Sequence, residues 1–302
     1  MRWLEKQSGS ALNWYERAVN SDDGTASIKA AEQLANVRVR LAWETVDTAR
    51  KQRDKVVMDL QQAGKGRKTA DRKARIAAKT SLARAERSLK TSVTSARQSI
   101  KQATTLLEKL VAVHSTMERE NLYGSAYKRL ALIEAVAGQA GDEKNAIEAM
   151  KVHYERAEAI AREQALSDAF YPALNYLAAE LVLNAGRSGW KGLDTSIVES
   201  TRGSLEAKSH ADPDFWSVVG ETELRLYKAV AAGKLASNLE QLKKGYQEHH
   251  KRVSAPWMWS SVYDTTQFVL QAYSARTSAK EAKAAGNLLA FLAAFASRSD
   301  ER

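Results

Sequence analysis

The densest group of chemically competent side chains in this sequence is basic: Arg67, Lys68, Arg72, Lys73, Arg75 and Lys79. Cations at that density can track a phosphate backbone, each neutralised phosphate adding to an affinity that falls with salt. Between Ala63 and Lys101 twelve Lys or Arg stand against Asp71 and Glu86, so this one segment carries the whole net charge of +10. No aromatic residue lies in it. Stacking on the bases of a single strand is therefore disfavoured, and any nucleic-acid contact would be a sequence-blind contact with the backbone. Three readings stay open: a solvated coiled-coil face, a site for an acidic protein partner, or nucleic-acid binding.

Other chemistry is scarce. The five histidines offer no metal-ligand spacing: His249 and His250 are adjacent, about 100° apart on a helix, and neither has a carboxylate or His four residues on. His114 falls on an apolar stripe and reads as a core or seam residue, while His153 and His210 stand alone. There is no Gly-rich phosphate loop, no Ser-centred elbow and no close carboxylate pair between apolar walls. We therefore expect no catalytic residues, no metal and no cofactor. With no Cys, disulfides and thiolate metal sites are excluded, which fits a reducing cytoplasm. The start, Met1-Arg2-Trp3-Leu4-Glu5-Lys6, is too charged for a signal peptide, and the apolar run from Leu288 to Ala296 is too short to span a bilayer, so no membrane association is expected.

The elements that position these residues are helical. Only 3 Pro and 15 Gly punctuate 302 residues rich in Ala, Leu, Glu, Lys and Arg. Val39, Ala42, Val46, Ala49, Arg53, Val56 and Leu60 keep a 3-4 spacing, and Leu82, Leu89, Val93, Ala96, Ile100, Ala103, Leu107, Leu110, His114 and Met117 do the same. Ala63-Gly64-Lys65-Gly66-Arg67 between them reads as a turn, so the economical reading is a long antiparallel helical hairpin. Further helices are predicted near 121–137, 144–166, 170–185, 194–209, 214–232, 235–252, 257–275 and 279–297. Trp190 sits in a Gly-bounded loop and reads as a lid on the edge of the body. Trp257 and Trp259 follow Pro256 at a helix start, where they point to different sides: one should be core, and the other reads either as buried against the last helix or as an exposed docking anchor.

Asp212-Pro213-Asp214-Phe215-Trp216-Ser217-Val218-Val219-Gly220 joins a turn, a helix start and an apolar-Gly step. Asp212 is predicted to cap the first turn, Pro213 to sit in it, and Gly220 to admit a neighbouring helix. That order resembles the junction between tetratricopeptide repeats. Ala11, Tyr15 and Ala18 match the spacing of a second repeat helix, which implies that the chain begins within a repeat, as an atypical capping helix or as part of a longer polypeptide. Apolar-small steps recur at Leu34-Ala35, Leu130-Ala131, Leu177-Ala178 and Val219-Gly220. The expected fold is all-α: a tetratricopeptide-like right-handed superhelical stack with a long protruding antiparallel helical hairpin. It divides as first repeat elements over 1–46, a basic hairpin insertion over 47–101, and repeats with C-terminal capping helices over 102–302.

The segments Ala11–Ala18, Ala30–Ala42, Glu118–Ala131, Phe170–Asn175, Asp212–Gly220 and Ala255–Trp259 together resemble the tetratricopeptide-like sensor modules of bacterial conflict (antiviral defence) systems. What the resemblance implies is a non-enzymatic sensor or adaptor that binds a protein partner and passes a signal to an effector, often a caspase-like peptidase encoded nearby or fused. In such repeats the first-helix positions that point into the groove correspond here to Glu32, Asn36, Arg40, Lys128, Asn175, Ser217, Glu221 and Arg225. Electrostatic, sequence-nonspecific nucleic-acid binding through the basic hairpin is the alternative reading. The oligomeric state is left open by these residues.

Overall fold

A computed structural model describes residues 2–21, 27–63 and 69–297, with the side chains of 2–8, 63 and 69–75 left out. Among the described residues there are eleven α-helices and no strand: α1 (Arg2–Val19), α2 (Ile28–Ala63), α3 (Thr69–Val113), α4 (Met117–Ala137), α5 (Ala140–Glu163), α6 (Phe170–Asn184), α7 (Thr195–Ala211), α8 (Phe215–Ala231), α9 (Leu235–Arg252), α10 (Pro256–Ser274) and α11 (Ala279–Ala296). The expectation of an all-α chain holds. No described helix is long and apolar enough to cross a membrane. The chain divides into two compact units, residues 1–146 and 147–302, the division falling inside α5.

In the first unit α2 and α3 pack along the two stripes read from the sequence. Ala35, Val39, Ala42, Val46 and Ala49 of α2 share one core with Leu89, Val93, Ala96, Ile100, Ala103 and Leu107 of α3. Alanine recurs on both sides, which lets the axes approach closely while Val, Ile and Leu fill the space between; each such large side chain removed from water stabilises by about 1.5–3 kcal/mol. Burial fades toward the far ends of the pair, where Arg53, Val56, Leu60 and Leu82 are half-buried and Met58 and Ile76 are exposed. The predicted turn at Gly64–Arg67 lies outside the described residues.

The near end of α3 corrects one expectation. The helix stops at Val113, so His114 leaves the stripe and is exposed rather than a seam residue. Thr116 then caps α4 by accepting from the Arg119 amide at 3.2 Å. Gly138, with φ of 71°, closes α4 in the left-handed conformation that glycine adopts at low cost. An arginine binds the unit together: Arg119 Nε donates to Glu32 of α2 at 2.9 Å, and its Nη1 donates to the Leu110 carbonyl at the end of α3 at 3.1 Å.

The second unit is built around α6. Ten of its fifteen residues are buried, an almost continuous apolar surface, so it must be covered on several sides. It packs against α7, α8 and α10, and α11 packs against both α9 and α10. Arg276 after α10 donates to the Val182 carbonyl at 2.7 Å, which satisfies the end of α6. Gly220 on α8 admits its neighbours as predicted: a Cβ there would lie 2.8 Å from Leu205 Cδ2 and 3.1 Å from Leu174 Cδ1. The start of α8 corrects the cap assignment. Asp212 ends α7, Pro213 lies in the link, and Asp214 is the cap, its carboxylate accepting from the Ser217 amide at 2.7 Å. Of the two available aspartates the second wins because Ser217, three residues on, returns a hydrogen bond to its backbone and closes a capping box.

Candidate functional site

The eight residues assigned to a groove divide evenly between the two units, and the structure gives them different roles. Glu32 is 7 % exposed and forms a buried ion pair with Arg119, while Lys29 lies 3.3 Å from its other oxygen. Ser217 is fully buried in the capping box of α8. These two therefore serve the fold and are withdrawn from a groove. A polar side chain joins the core when a distant partner completes its hydrogen bonds, and the partner of Glu32 stands 87 residues away.

The remaining six lie at partly or fully exposed positions. In the first unit Asn36 and Lys128 are half-buried, and Arg40 is exposed with Glu44 3.4 Å away on the same helix. In the second unit Asn175 donates to the Tyr171 carbonyl at 3.0 Å, and Glu221 and Arg225 face one another at 3.9 Å. Of the basic residues singled out on the sequence, Arg67 and Lys68 lie outside the described residues. Arg72, Lys73 and Arg75 fall on the backbone of α3 without described side chains, and Lys79 is exposed on α3.

The charged face of α3 extends further than those six residues. Lys79, Arg84, Arg87, Lys90 and Lys101 are all exposed, and no ion pair among the described residues involves any of them. At about 100° per residue these five fall within an arc of about 140°, turned away from the stripe that packs on α2. Thr80, Thr91, Thr94, Gln98, Gln102 and Thr105 share this arc, all exposed, and Ala83 is its one apolar member. Glu86 borders the arc and Glu108 lies beyond its end. Arg97 differs from the rest: it grips the buried Glu134 of α4 through both carboxylate oxygens, Nε at 2.8 Å.

Buried acids elsewhere are committed to architecture. Glu120 accepts from Ser115 Oγ at 2.8 Å, and Glu158 lies 3.2 Å from Arg162. Glu281 accepts from the Ala236 amide and from Tyr273 Oη at 2.9 Å, capping α9. Half-buried Glu180 gathers Lys151 Nζ, Asn184 Nδ2 and Trp190 Nε1. Burial alone would raise the Glu180 carboxyl, but the bonds from Lys151 and Trp190 outweigh it and hold the group below its ordinary value. Trp190 thus pins its loop to α6. Among the described residues no group of three or more His, Cys, Asp or Glu could hold a metal ion.

The histidine pair separates as the helix turn requires. His249 Nε2 lies 3.0 Å from Thr222 Oγ1, and burial, helped by Arg252, pushes its pKa down from the ordinary histidine value. His250 stacks on Phe295 with ring centres 4.0 Å apart. Pro213, Phe215, Val219, His249 and Arg252 border a cavity of about 190 Å³, below the size of most small-molecule sites. Trp259 is fully buried and donates to the Val253 carbonyl at 2.7 Å, whereas Trp257 is 58 % exposed, which decides between the two alternatives for the second ring.

No protein-family model matches the chain. Comparison with curated proteins and with solved structures likewise returns no match. The functional reading therefore rests on the arrangement of its own side chains.

Proposed function

We propose that this protein is a non-enzymatic, cytoplasmic helical-repeat adaptor: a tetratricopeptide-like stack, with α2 and α3 as an antiparallel hairpin, whose second unit docks a protein partner. On the resemblance set out above, the partner is an effector of bacterial defence, a caspase-like peptidase. The observation that carries the binding reading is Trp257, a large ring left in solvent at the first turn of α10 while its neighbour Trp259 is wholly buried. An unburied tryptophan on a rigid helix is the kind of anchor that dominates protein interfaces. Two further features support it. Within the second unit α6 packs on α7 and α8, α7 on α8, and α8 on α9, neighbour contacts of the kind a stack of helical repeats uses. Among the described residues each of the five buried carboxylates has a structural partner: an ion pair for Glu32, Glu134 and Glu158, the Ser115 hydroxyl for Glu120, and the start of α9 with Tyr273 for Glu281.

The test is affinity capture of the full chain from its host with Trp257→Ala beside the wild type, quantified by mass spectrometry. The reading expects a specific partner whose recovery falls at least tenfold with Trp257→Ala, in line with the hot-spot energies of about 2 kcal/mol or more. Equal recovery from both proteins would remove Trp257 as the anchor and the docking reading with it.

A further inference from the structure

We infer that the outer face of α3 from Lys79 to Lys101 is a seat for the phosphate backbone of double-stranded DNA, read without regard to sequence. Five cations lie along about 33 Å of helix, close to one turn of duplex. None is neutralised by a carboxylate of the described residues. Thr91, Gln98 and Gln102 stand among them, and such groups, with Lys and Arg, supply most contacts to phosphate oxygens, while the hydroxyls of Thr80 and Thr94 donate to the Ile76 and Lys90 carbonyls of the helix itself. The face lies opposite the stripe buried against α2, so it reaches a ligand without disturbing the core.

The composition of the face selects among anionic partners. A protein interface needs a desolvated apolar or aromatic centre, and between Lys79 and Lys101 the one apolar residue on this face is Ala83, with a single exposed Ile76 one turn before Lys79. An amphipathic helix that lies on a membrane needs a run of large apolar residues to bury, and the arc offers Ile76 at its end and none between Lys79 and Lys101. A single strand would need rings for its bases, and no aromatic occurs between Ala63 and Lys101. A straight helix fits the roughly 12 Å major groove of B-form DNA, with cations on both borders of a broad arc turned to the two flanking strands; the deep, narrow groove of A-form RNA does not admit it. The surface reads no particular sequence, because its Arg, Lys, Gln and Thr side chains are spread too evenly along the arc to converge on one base pair.

The experiment is fluorescence anisotropy of the full chain with a 30-base-pair DNA duplex over a range of salt. Five neutralised phosphates correspond to a slope of about −4.5 in log K against log salt. Replacing Lys79, Arg84, Arg87, Lys90 and Lys101 together by Gln is expected to reduce the steepness by about that amount, with helical content and thermal midpoint held, since Gln is nearly as good a helix former as Lys or Arg. A control variant carries the same loss of charge elsewhere: Lys191, Lys228, Lys234, Lys244 and Lys280 to Gln, all exposed in the second unit. Its slope is expected to match the wild type. The inference is overturned if the two variants lose equally, if the wild type fails to bind duplex at 50 mM salt, or if single-stranded DNA of equal length binds as tightly. Tighter binding to duplex RNA, or displacement of the duplex by poly-glutamate at equal charge, would equally overturn it and assign the face to RNA or to an acidic protein.

Discussion

Along α2, Lys29, Arg38, Arg40, Arg50, Lys51 and Arg53 each lie within ion-pair distance of a carboxylate, and Lys55 is the exception among its seven cations. Along α3, between Lys79 and Lys101, Arg97 is the one described cation so engaged. The two helices bury matching stripes against each other, so the requirements of the core are the same for both. What differs is the face that the core leaves free. On α2 Lys29, Arg40, Arg50 and Lys51 have an acid three or four residues away, which adds a few tenths of a kcal/mol per pair, while Arg38 reaches Glu16 of α1 and Arg53 the adjacent Asp54. On α3 the like charges stand together without that compensation, a mildly unfavourable arrangement for an isolated helix. A local electrostatic cost accepted on one of two otherwise equivalent helices points to a ligand that neutralises it.

The largest expected effect breaks the paired side of this comparison. Glu32 and Arg119 are 9 % and 8 % exposed at their side chains, and Arg119 also closes the end of α3 through the Leu110 carbonyl. Glu32→Ala leaves a buried guanidinium without its anion and should cost about 3–5 kcal/mol in unfolding free energy by denaturant titration. Truncating Glu44, whose partner Arg40 is exposed, should cost under about 1 kcal/mol. If the two truncations prove equal, the pairing along α2 is not the graded, burial-dependent feature described here.

A medium effect separates the two classes of cation within α3 itself. Arg97→Gln strips the bidentate partner from Glu134, whose side chain is 5 % exposed, and should destabilise by about 2–3 kcal/mol, the cost of an unsatisfied buried charge partly relieved by rearrangement. Lys90→Gln removes the same charge from a position without an ion pair and should change stability by less than about 0.5 kcal/mol. Thermal unfolding of the pair at one ionic strength decides it. Equal losses would mean that the exposed face contributes to folding, and would undercut its assignment to a ligand.

How much of this was legible in the residues depends on the range of the physics. The helices were, because each carries its own periodicity and punctuation: α9 was expected over 235–252 and is found at Leu235–Arg252. The two stripes of α2 and α3 were legible for the same reason, since a 3-4 repeat of Val, Leu, Ile and Ala has to bury one side. That Trp257 and Trp259 point to different sides followed from two positions on one helical turn; which ring is buried did not. What failed was either marginal or remote. Asp212 and Asp214 compete for one cap, and the deciding residue is Ser217, whose pairing with Asp214 was a short-range signal that could have been read. His114 continued the spacing of a stripe beyond the point where α3 ends. The burial of Glu32 had no local signal at all, because its environment is made by Arg119 from another helix.

The smallest effect would make α3 resemble α2. Gln98 lies on the exposed arc, three residues before Lys101 and away from the stripe that packs on α2. Gln98→Glu keeps size and helix propensity while adding the carboxylate that α2 would have in such a place, so it isolates charge from packing. An ion pair with Lys101 should stabilise by about 0.2–0.5 kcal/mol, a rise in thermal midpoint of about 1 °C at low salt. In 1 M salt, where the screening length falls to about 3 Å, the gain should vanish. The same substitution should weaken duplex binding and flatten its salt slope by about one, because the new acid competes with a phosphate for Lys101. A stabilisation that survives high salt would show that packing, not charge, sets the behaviour of this face, and a duplex affinity that rises would place the acid on the wrong side of the ligand.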